Sequence, residues 1–364
     1  MSEPNGPPKA AKKKPPWGKI IQSVIAVVVI VAIFGFWIPQ FADYDDVWPL
    51  LRDLSAAQWF WLAVAQFLNL ATYWLVYVAS LPGLTFWQAC VSVQTNSSIA
   101  SVLPAGGAFA IGITYRFLGS WGFTPGQTTE LIGVSGFWNF GCKLLMPVAA
   151  VLMLLAIGES SHTLVVAALI GLAVSIAAAV IIGLALWKEA MARSIGRGAD
   201  HALSWILQPF HKSTGDALER MLIDFRHQTI DVARTRWWFL TWSSVSSQLA
   251  AFLVFTLSMR FVGVTSGQVN LVEMFAAFCF GMLVGSIPIT PGGLGTADAV
   301  YIGVVAGAGA SHEAAVAGDL LFRFFTYLLQ IPLGAVTYVV WKRRLSWRKP
   351  QPSAEPAAPS TAPA

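Results

Sequence analysis

The sequence predicts an all-α polytopic membrane protein: about six full spans plus two re-entrant helical hairpins in an inverted repeat. Three observations predict it. The chain of 364 residues is 56% hydrophobic and only 11% charged, with a mean hydropathy of +0.63, whereas soluble domains carry about a quarter charged residues. Its apolar stretches are long and unalternating, which argues for helices and against a barrel of alternating segments of about ten residues. Two of those stretches are broken near their middle by proline and glycine.

The elements follow in order. Residues 1–19 (MSEPNGPPKAAKKKPPWGK) are polar, basic and Pro-rich, and read as a disordered cytosolic tail. The apolar run 20–41 is long enough to span and lacks a small-x-small cleavage site before FADYDD, so it reads as a retained signal anchor. A transmembrane domain covers 20–345, with a first half at 57–187 and a second at 237–341. A helix needs about 20 apolar residues to cross the hydrocarbon core. Full spans fit at 20–41, 57–81, 126–155, 163–187, 237–261 and 314–341. The broken regions are 86–120, interrupted by LPAGG at 103–107, and 271–309, interrupted by ITPGGLG at 289–295. Loop 188–236 reads as cytosolic and amphipathic, with Trp205, Ile206, Leu207 and Phe210 as its membrane-facing side. DVWPLLRDL (46–54) is a shorter amphipathic candidate on the outer face, and the Pro/Ala tail 346–364 is disordered.

Basic residues set the orientation. The segment through Lys19, loop 188–236 and KRRLSWRK at 342–349 hold eighteen of the 23 Lys and Arg. Six spans, with each broken region returning to its own side, put all three segments on one face. Both termini are therefore expected in the cytosol of a cell (cytoplasmic) membrane protein. The same parity makes the two broken regions enter from opposite faces. They also share a Ser start, a Pro, a Gly pair and a Gly-rich second arm, in SVLPAGGAFAIG and SIPITPGGLGTADA. Similar sequence in opposite orientation is the pattern of an inverted repeat, which in transporters places a site near the midplane between discontinuous helices. Pro removes an N–H and Gly permits a sharp turn. The freed backbone groups must be buried in protein or line a wet cavity, and a helix starting there aims its positive end into it.

Ionisable residues inside spans are costly and are functional hypotheses by default. Arg116 and Asp298 lie in the return arms, and Asp319 and Arg323 are four apart on one face of the last span. Lys143 sits mid-span, where snorkelling is hard, and Glu130 reads as solvated near the cytosolic end. Arg260 and Glu273 are expected at the outer interface, Glu273 solvated. The polar run Gln94, Thr95, Asn96, Ser97 and Ser98 is expected to line a cavity rather than to glue helices. Cys90, Cys142 and Cys279 read as small packing residues, with no CxxC pair and no metal spacing. None of His162, His201, His211, His227 and His312 lies mid-span, and there is no nucleophile elbow or paired carboxylates near a His. No enzyme activity, cofactor or metal is expected.

PGGLGTAD (291–298), followed by a small-residue span and LLFRFFTYLLQIPLG (320–334), resembles the C-terminal signature of the lysylphosphatidylglycerol synthase transmembrane domain family, also called flippase-like integral membrane proteins. That family's motif reads Pro-Gly-Gly-Leu-Gly, two residues, then Glu. Pro291, Gly292, Gly293, Leu294 and Gly295 match, and Asp298 stands where Glu is usual. Arg323 matches the Arg of the last span, and Pro104, Gly106, Gly107 and Arg116 match the first-half turn more loosely. The resemblance implies a lipid-translocating domain. No synthase domain is expected, since only a short tail follows Trp341.

The expected function is a flippase or transporter of an anionic or polyprenyl-phosphate-type lipid. Its substrate-binding candidates are Pro104, Gly106, Gly107, Arg116, Pro291, Gly292, Gly293, Gly295, Asp298, Asp319 and Arg323. Helix amides and Arg116 or Arg323 would neutralise phosphate, and Asp298 would engage a cationic group, a hydroxyl or a proton. The competing classes are a lipid-acting membrane enzyme and a non-transporting scaffold that binds a lipid-modifying enzyme through loop 188–236. Partners open to the chain are the membrane lipid, a separate lipid-synthesising enzyme and a second copy of itself; nothing calls for nucleic acid.

Overall fold

The computed structural model describes residues 44–102, 106–158, 173, 217–286 and 293–344. All fall in one unit, Ala42–Ala364. The expected span 20–41, the span 163–187 apart from residue 173, loop positions 188–216 and both tails lie outside these residues. So do Pro104, Pro291 and Gly292.

Every described element is helical. The order is α1 (Tyr44–Arg52), α2 (Ala56–Ser80), α3 (Phe86–Val102), α4 (Gly106–Ser120), α5 (Pro125–Ala156), α6 (Ala217–Phe261), α7 (Leu271–Gly285), α8 (Thr296–Gly307), α9 (His312–Arg323) and α10 (Gln330–Arg343), with a π-helical turn at Phe324–Leu328 between the last two. Helix starts are written plainly in the sequence. Ser55–Gln58, Thr124–Gln127 and Asn270–Glu273 each form a reciprocal capping box, satisfying first-turn N–H groups that have no helical partner. Glu273 is buried rather than solvated, because its Oε2 accepts the Asn270 N–H at 2.6 Å.

Four stretches are long and apolar enough to cross a membrane: Ala56–Ser80, Pro125–Ala156, Thr235–Phe261 and His312–Arg343. The chain is therefore an all-α, multi-pass membrane protein. Helix α6, at 45 residues, is about 68 Å long at 1.5 Å per residue. That is more than twice a hydrocarbon core of about 30 Å, so its turns before Thr235 run on beyond the span. The part of the expected loop after Ala217 is thus one helix continuous with the span that follows. Trp237, Trp238 and Trp242 are exposed where α6 becomes apolar, and Trp59, Phe60 and Trp61 where α2 begins. Aromatic residues favour both membrane interfaces.

Helices α2 and α6 pack antiparallel. Asn69 Nδ2 donates to the Ser247 carbonyl at 3.1 Å, and Arg236 Nη1 to the Val78 carbonyl at 3.4 Å. The two broken regions form helical hairpins. In α3/α4, Asn96 Nδ2 donates to Thr114 Oγ1 at 2.7 Å, and a Cβ on Gly106 would run into the backbone of Ile99 and Ala100. In α7/α8, Gly281 lies under the Tyr301 ring, and Gly293 lies against the backbone of Gly285. The first hairpin opens at the end of the bundle where Arg236 meets Val78. Trp341, at the C-terminal end of α10, donates there to Ser120 Oγ at 3.1 Å. The second hairpin starts beyond Phe261, at the opposite end. The core of the second half is an aromatic cluster in which Phe255, Tyr301 and Phe322 stand 5.0–5.7 Å apart, with Phe278 on Phe255 at 5.8 Å.

Candidate functional site

The tips of the two hairpins meet at the π-helical turn of the last span. Leu329 N–H donates to the Phe324 carbonyl five residues back at 2.9 Å. Such single π turns inside α-helices are frequent at functional sites. Arg323, just before the turn, reaches the second hairpin; Tyr327, inside it, reaches the first. Tyr327 Oη donates to the Ser101 carbonyl at 2.7 Å. That carbonyl is one of the last of α3, with no helical partner of its own.

On the second hairpin the chain turns through Gly293 and Gly295, at φ 70° and 82°. L side chains adopt that region at a cost of about 1–2 kcal/mol, so glycine is what lets the turn close. Asp298 follows in the first turn of α8. Its Oδ2 accepts the Gly295 N–H at 2.7 Å, and its Oδ1 accepts Arg323 Nε at 2.5 Å. Arg323 Nη2 also lies 3.5 Å from the Gly293 carbonyl. Asp298 is fully buried and the Arg323 side chain nearly so, at 0% and 14% exposure. Asp319, 1% exposed, lies near enough to both to interact with them electrostatically. Its Oδ1 is buried without a partner.

Beside this cluster lies a cavity of about 330 Å³, walled by α2, α3, α5, α6, α7, α8 and the last span. Its polar lining includes Gln94, Ser97, Asn139, Lys143, Gln248 and Arg323. Among the described residues no carboxylate lines it. Gln94 is 2% exposed, and neither its Oε1 nor its Nε2 has a hydrogen-bond partner.

The structure brings Gly293, Gly295, Asp298, Asp319 and Arg323 together at one tip. Gly106 is buried at the start of α4, next to the other tip, and Gly107 beside it is exposed. Arg116 is not brought to the cavity. It is exposed near the open end of its hairpin, with its guanidinium 5.6 Å from the Trp341 ring centroid. The polar run on α3 divides. Gln94 and Ser97 line the cavity. Thr95 instead meets Thr337 Oγ1 at 3.0 Å, and Ser98 donates to the Ile331 carbonyl at 3.1 Å, fastening α3 to α10. Tyr327 and the amides Asn139 and Gln248 were not legible as site residues. Asn139 is one polar residue in an apolar stretch and Tyr327 sits among aromatics; Gln248 closes the Ser-rich run SSVSSQ at 243–248, which is a signal that marks it, but only the packing of separate helices collects the three.

Among the described residues, no group of three or more His, Cys, Asp or Glu could hold a metal ion. A family model described as the lysylphosphatidylglycerol synthase TM region matches residues 23–334. A comparison with curated proteins returns no match.

Proposed function

The chain belongs to the lysylphosphatidylglycerol synthase TM region family, and on that footing we propose that it is a lipid flippase. It moves an anionic or polyprenyl-phosphate-type lipid across the cytoplasmic membrane through a midplane site between two re-entrant hairpins. One observation carries the reading: two helical hairpins open toward opposite ends of the bundle, and their tips are tied to one π-helical turn by Arg323 and Tyr327. Inverted repeats that meet at the midplane can rock against each other and expose the site to each side in turn. Polar backbone and ionic groups at that depth need a protein or aqueous lining, which the cavity supplies.

The reading assigns the chain no catalytic step. A separate lipid-synthesising enzyme makes the lipid it moves. It also places both termini in the cytosol. Arg116, Arg236, Lys342 and Arg343 gather at the end where the first hairpin opens, and cytoplasmic ends carry the excess of Lys and Arg.

Reconstitution into liposomes with a tail-labelled phosphatidylglycerol tests the reading. A membrane-impermeant quencher should reach the inner-leaflet label in vesicles that hold the protein and not in empty ones. Equal protection of the inner leaflet in both, for phosphatidylglycerol and for a polyprenyl phosphate alike, would remove the proposal.

A further inference from the structure

We propose that the cavity is a phosphate-binding headgroup site whose charge partner is Lys143, and that it accepts head groups of net negative charge while rejecting aminoacylated, cationic ones. The inference rests on the reading of this cavity as the lipid site and narrows its substrate class.

Two cations, Arg323 and Lys143, stand on the cavity wall. Arg323 is already matched: its Nε is held by Asp298 and its Nη2 lies toward the Gly293 carbonyl. Lys143, half-buried in the middle of α5, makes no hydrogen bond or ion pair among the described residues. An ammonium at that depth is costly unless it meets an anion or polar partners. The partners at hand are amides. Asn139 is one turn before Lys143 on α5, and Gln248 Nε2 lies 3.5 Å from Asn139 Oδ1. Gln94 is the second pointer to a ligand: it is buried, on the cavity wall, and neither polar atom of its amide is satisfied. A buried amide with no partner loses its hydrogen bonds to water without replacement. An occupant with acceptor oxygens for Lys143 and the Gln94 NH₂, and a hydroxyl for the Gln94 carbonyl, would satisfy all three groups. A phosphate diester with a polyol headgroup has that chemistry.

The same wall argues against a cationic headgroup. A lysyl ester adds two ammonium groups against one phosphate. It would bring them next to Lys143, with no carboxylate among the described lining residues to receive them. Asp298 and Asp319 lie behind the guanidinium and are not part of the lining. Like charges at short range in such a site are repulsive. The volume of about 330 Å³ is at the lower end of small-molecule sites, about 300–1,000 Å³. It suits a headgroup whose acyl chains stay outside.

Native mass spectrometry of the purified full chain tests this, using dihexanoyl phosphatidylglycerol, dihexanoyl lysylphosphatidylglycerol and glycerol 3-phosphate as probes. Wild type should bind phosphatidylglycerol in preference to the lysyl lipid. Lys143→Gln should weaken phosphatidylglycerol about tenfold or more, as expected for loss of a charge-assisted hydrogen bond, and Lys143→Arg should restore it. Equal or better binding of the lysyl lipid by wild type would overturn the inference. So would full phosphatidylglycerol binding by folded Lys143→Gln. If Lys143→Gln does not fold, the competition between the two lipids on wild type decides alone. Glycerol 3-phosphate that binds as well as the lipid, in a Lys143-dependent way, supports the anion site and counts against a lipid occupant. Lys143-dependent lipid binding without translocation in liposomes keeps the site and removes the flippase reading.

Discussion

Asp298 and Arg323 are joined by an ion pair across 25 residues of sequence, and the same carboxylate caps the helix it begins. One oxygen takes the Gly295 N–H and the other takes Arg323 Nε. The second hairpin and the last span are thus held together at the point where the chain turns inside the bundle. Capping and charge pairing are not alternative roles for this residue.

Removing one partner leaves a buried charge. Asp298→Ala or Arg323→Ala should each destabilise the protein by about 3–5 kcal/mol. The double variant Asp298→Asn/Arg323→Gln should cost clearly less than the sum of its two single changes, because the two opposite charges of the pair are removed together. Thermal or denaturant unfolding in detergent measures this. Strict additivity would mean that the pair does not couple the two elements.

Tyr327→Phe deletes the hydroxyl that satisfies the Ser101 carbonyl. The loss should be about 1–3 kcal/mol if water does not replace it, and it should fall on the first hairpin's tip. Hydrogen exchange over residues 99–110 should quicken while exchange over the α2–α6 pair stays unchanged. Uniform protection would show that the contact does not hold the tip.

Two glycines make opposite predictions. A Cβ on Gly334 would strike Ser98 and the Gln94 carbonyl, where α10 crosses α3. Gly334→Val should therefore destabilise by about 1–3 kcal/mol or more through overpacking. Gly303, within α8, has open space around the same position, so Gly303→Ala should be neutral or should stabilise by up to about 1 kcal/mol. Melting temperatures of the two variants separate the cases.

Orientation can be read by thiol labelling. In a cysteine-free background, a cysteine at Arg343 should react with an impermeant reagent only in inverted membranes, and one at Gly267 only in intact cells. The reverse pattern would turn the protein over.

Much of this architecture was legible because it rests on local rules. The spans expected at 57–81, 126–155, 237–261 and 314–341 are found at 56–80, 125–156, 235–261 and 312–343. Length, hydropathy and capping boxes define them without tertiary knowledge. The breaks at LPAGG and ITPGGLG were visible for the same reason, since proline and glycine act on their own backbone. The π turn at 324–328 leaves no such mark, because FFTYL is as compatible with α-helix as its neighbours. The i, i+4 spacing of Asp319 and Arg323 pointed to one face of a helix, yet Arg323 Nε goes to Asp298, which only the folded second hairpin brings near. Arg116 was read as a phosphate partner from its place in a return arm; its distance from the tip sets it at the open end of the hairpin instead, beside Trp341. Lys143 announced itself by depth in a span, but its amide neighbours come from α3, α5 and α6, and no periodicity in one segment could gather them.

The most direct measurement is the rate of phosphatidylglycerol translocation in liposomes. Four preparations are compared: wild type, the folded Asp298→Asn/Arg323→Gln variant, the surface variant Glu313→Gln as a control, and vesicles without protein. The account predicts rapid translocation for wild type and Glu313→Gln, and the protein-free rate for the double variant. Wild type no faster than empty vesicles, for phosphatidylglycerol and for a polyprenyl phosphate alike, or a double variant as fast as wild type, would contradict it.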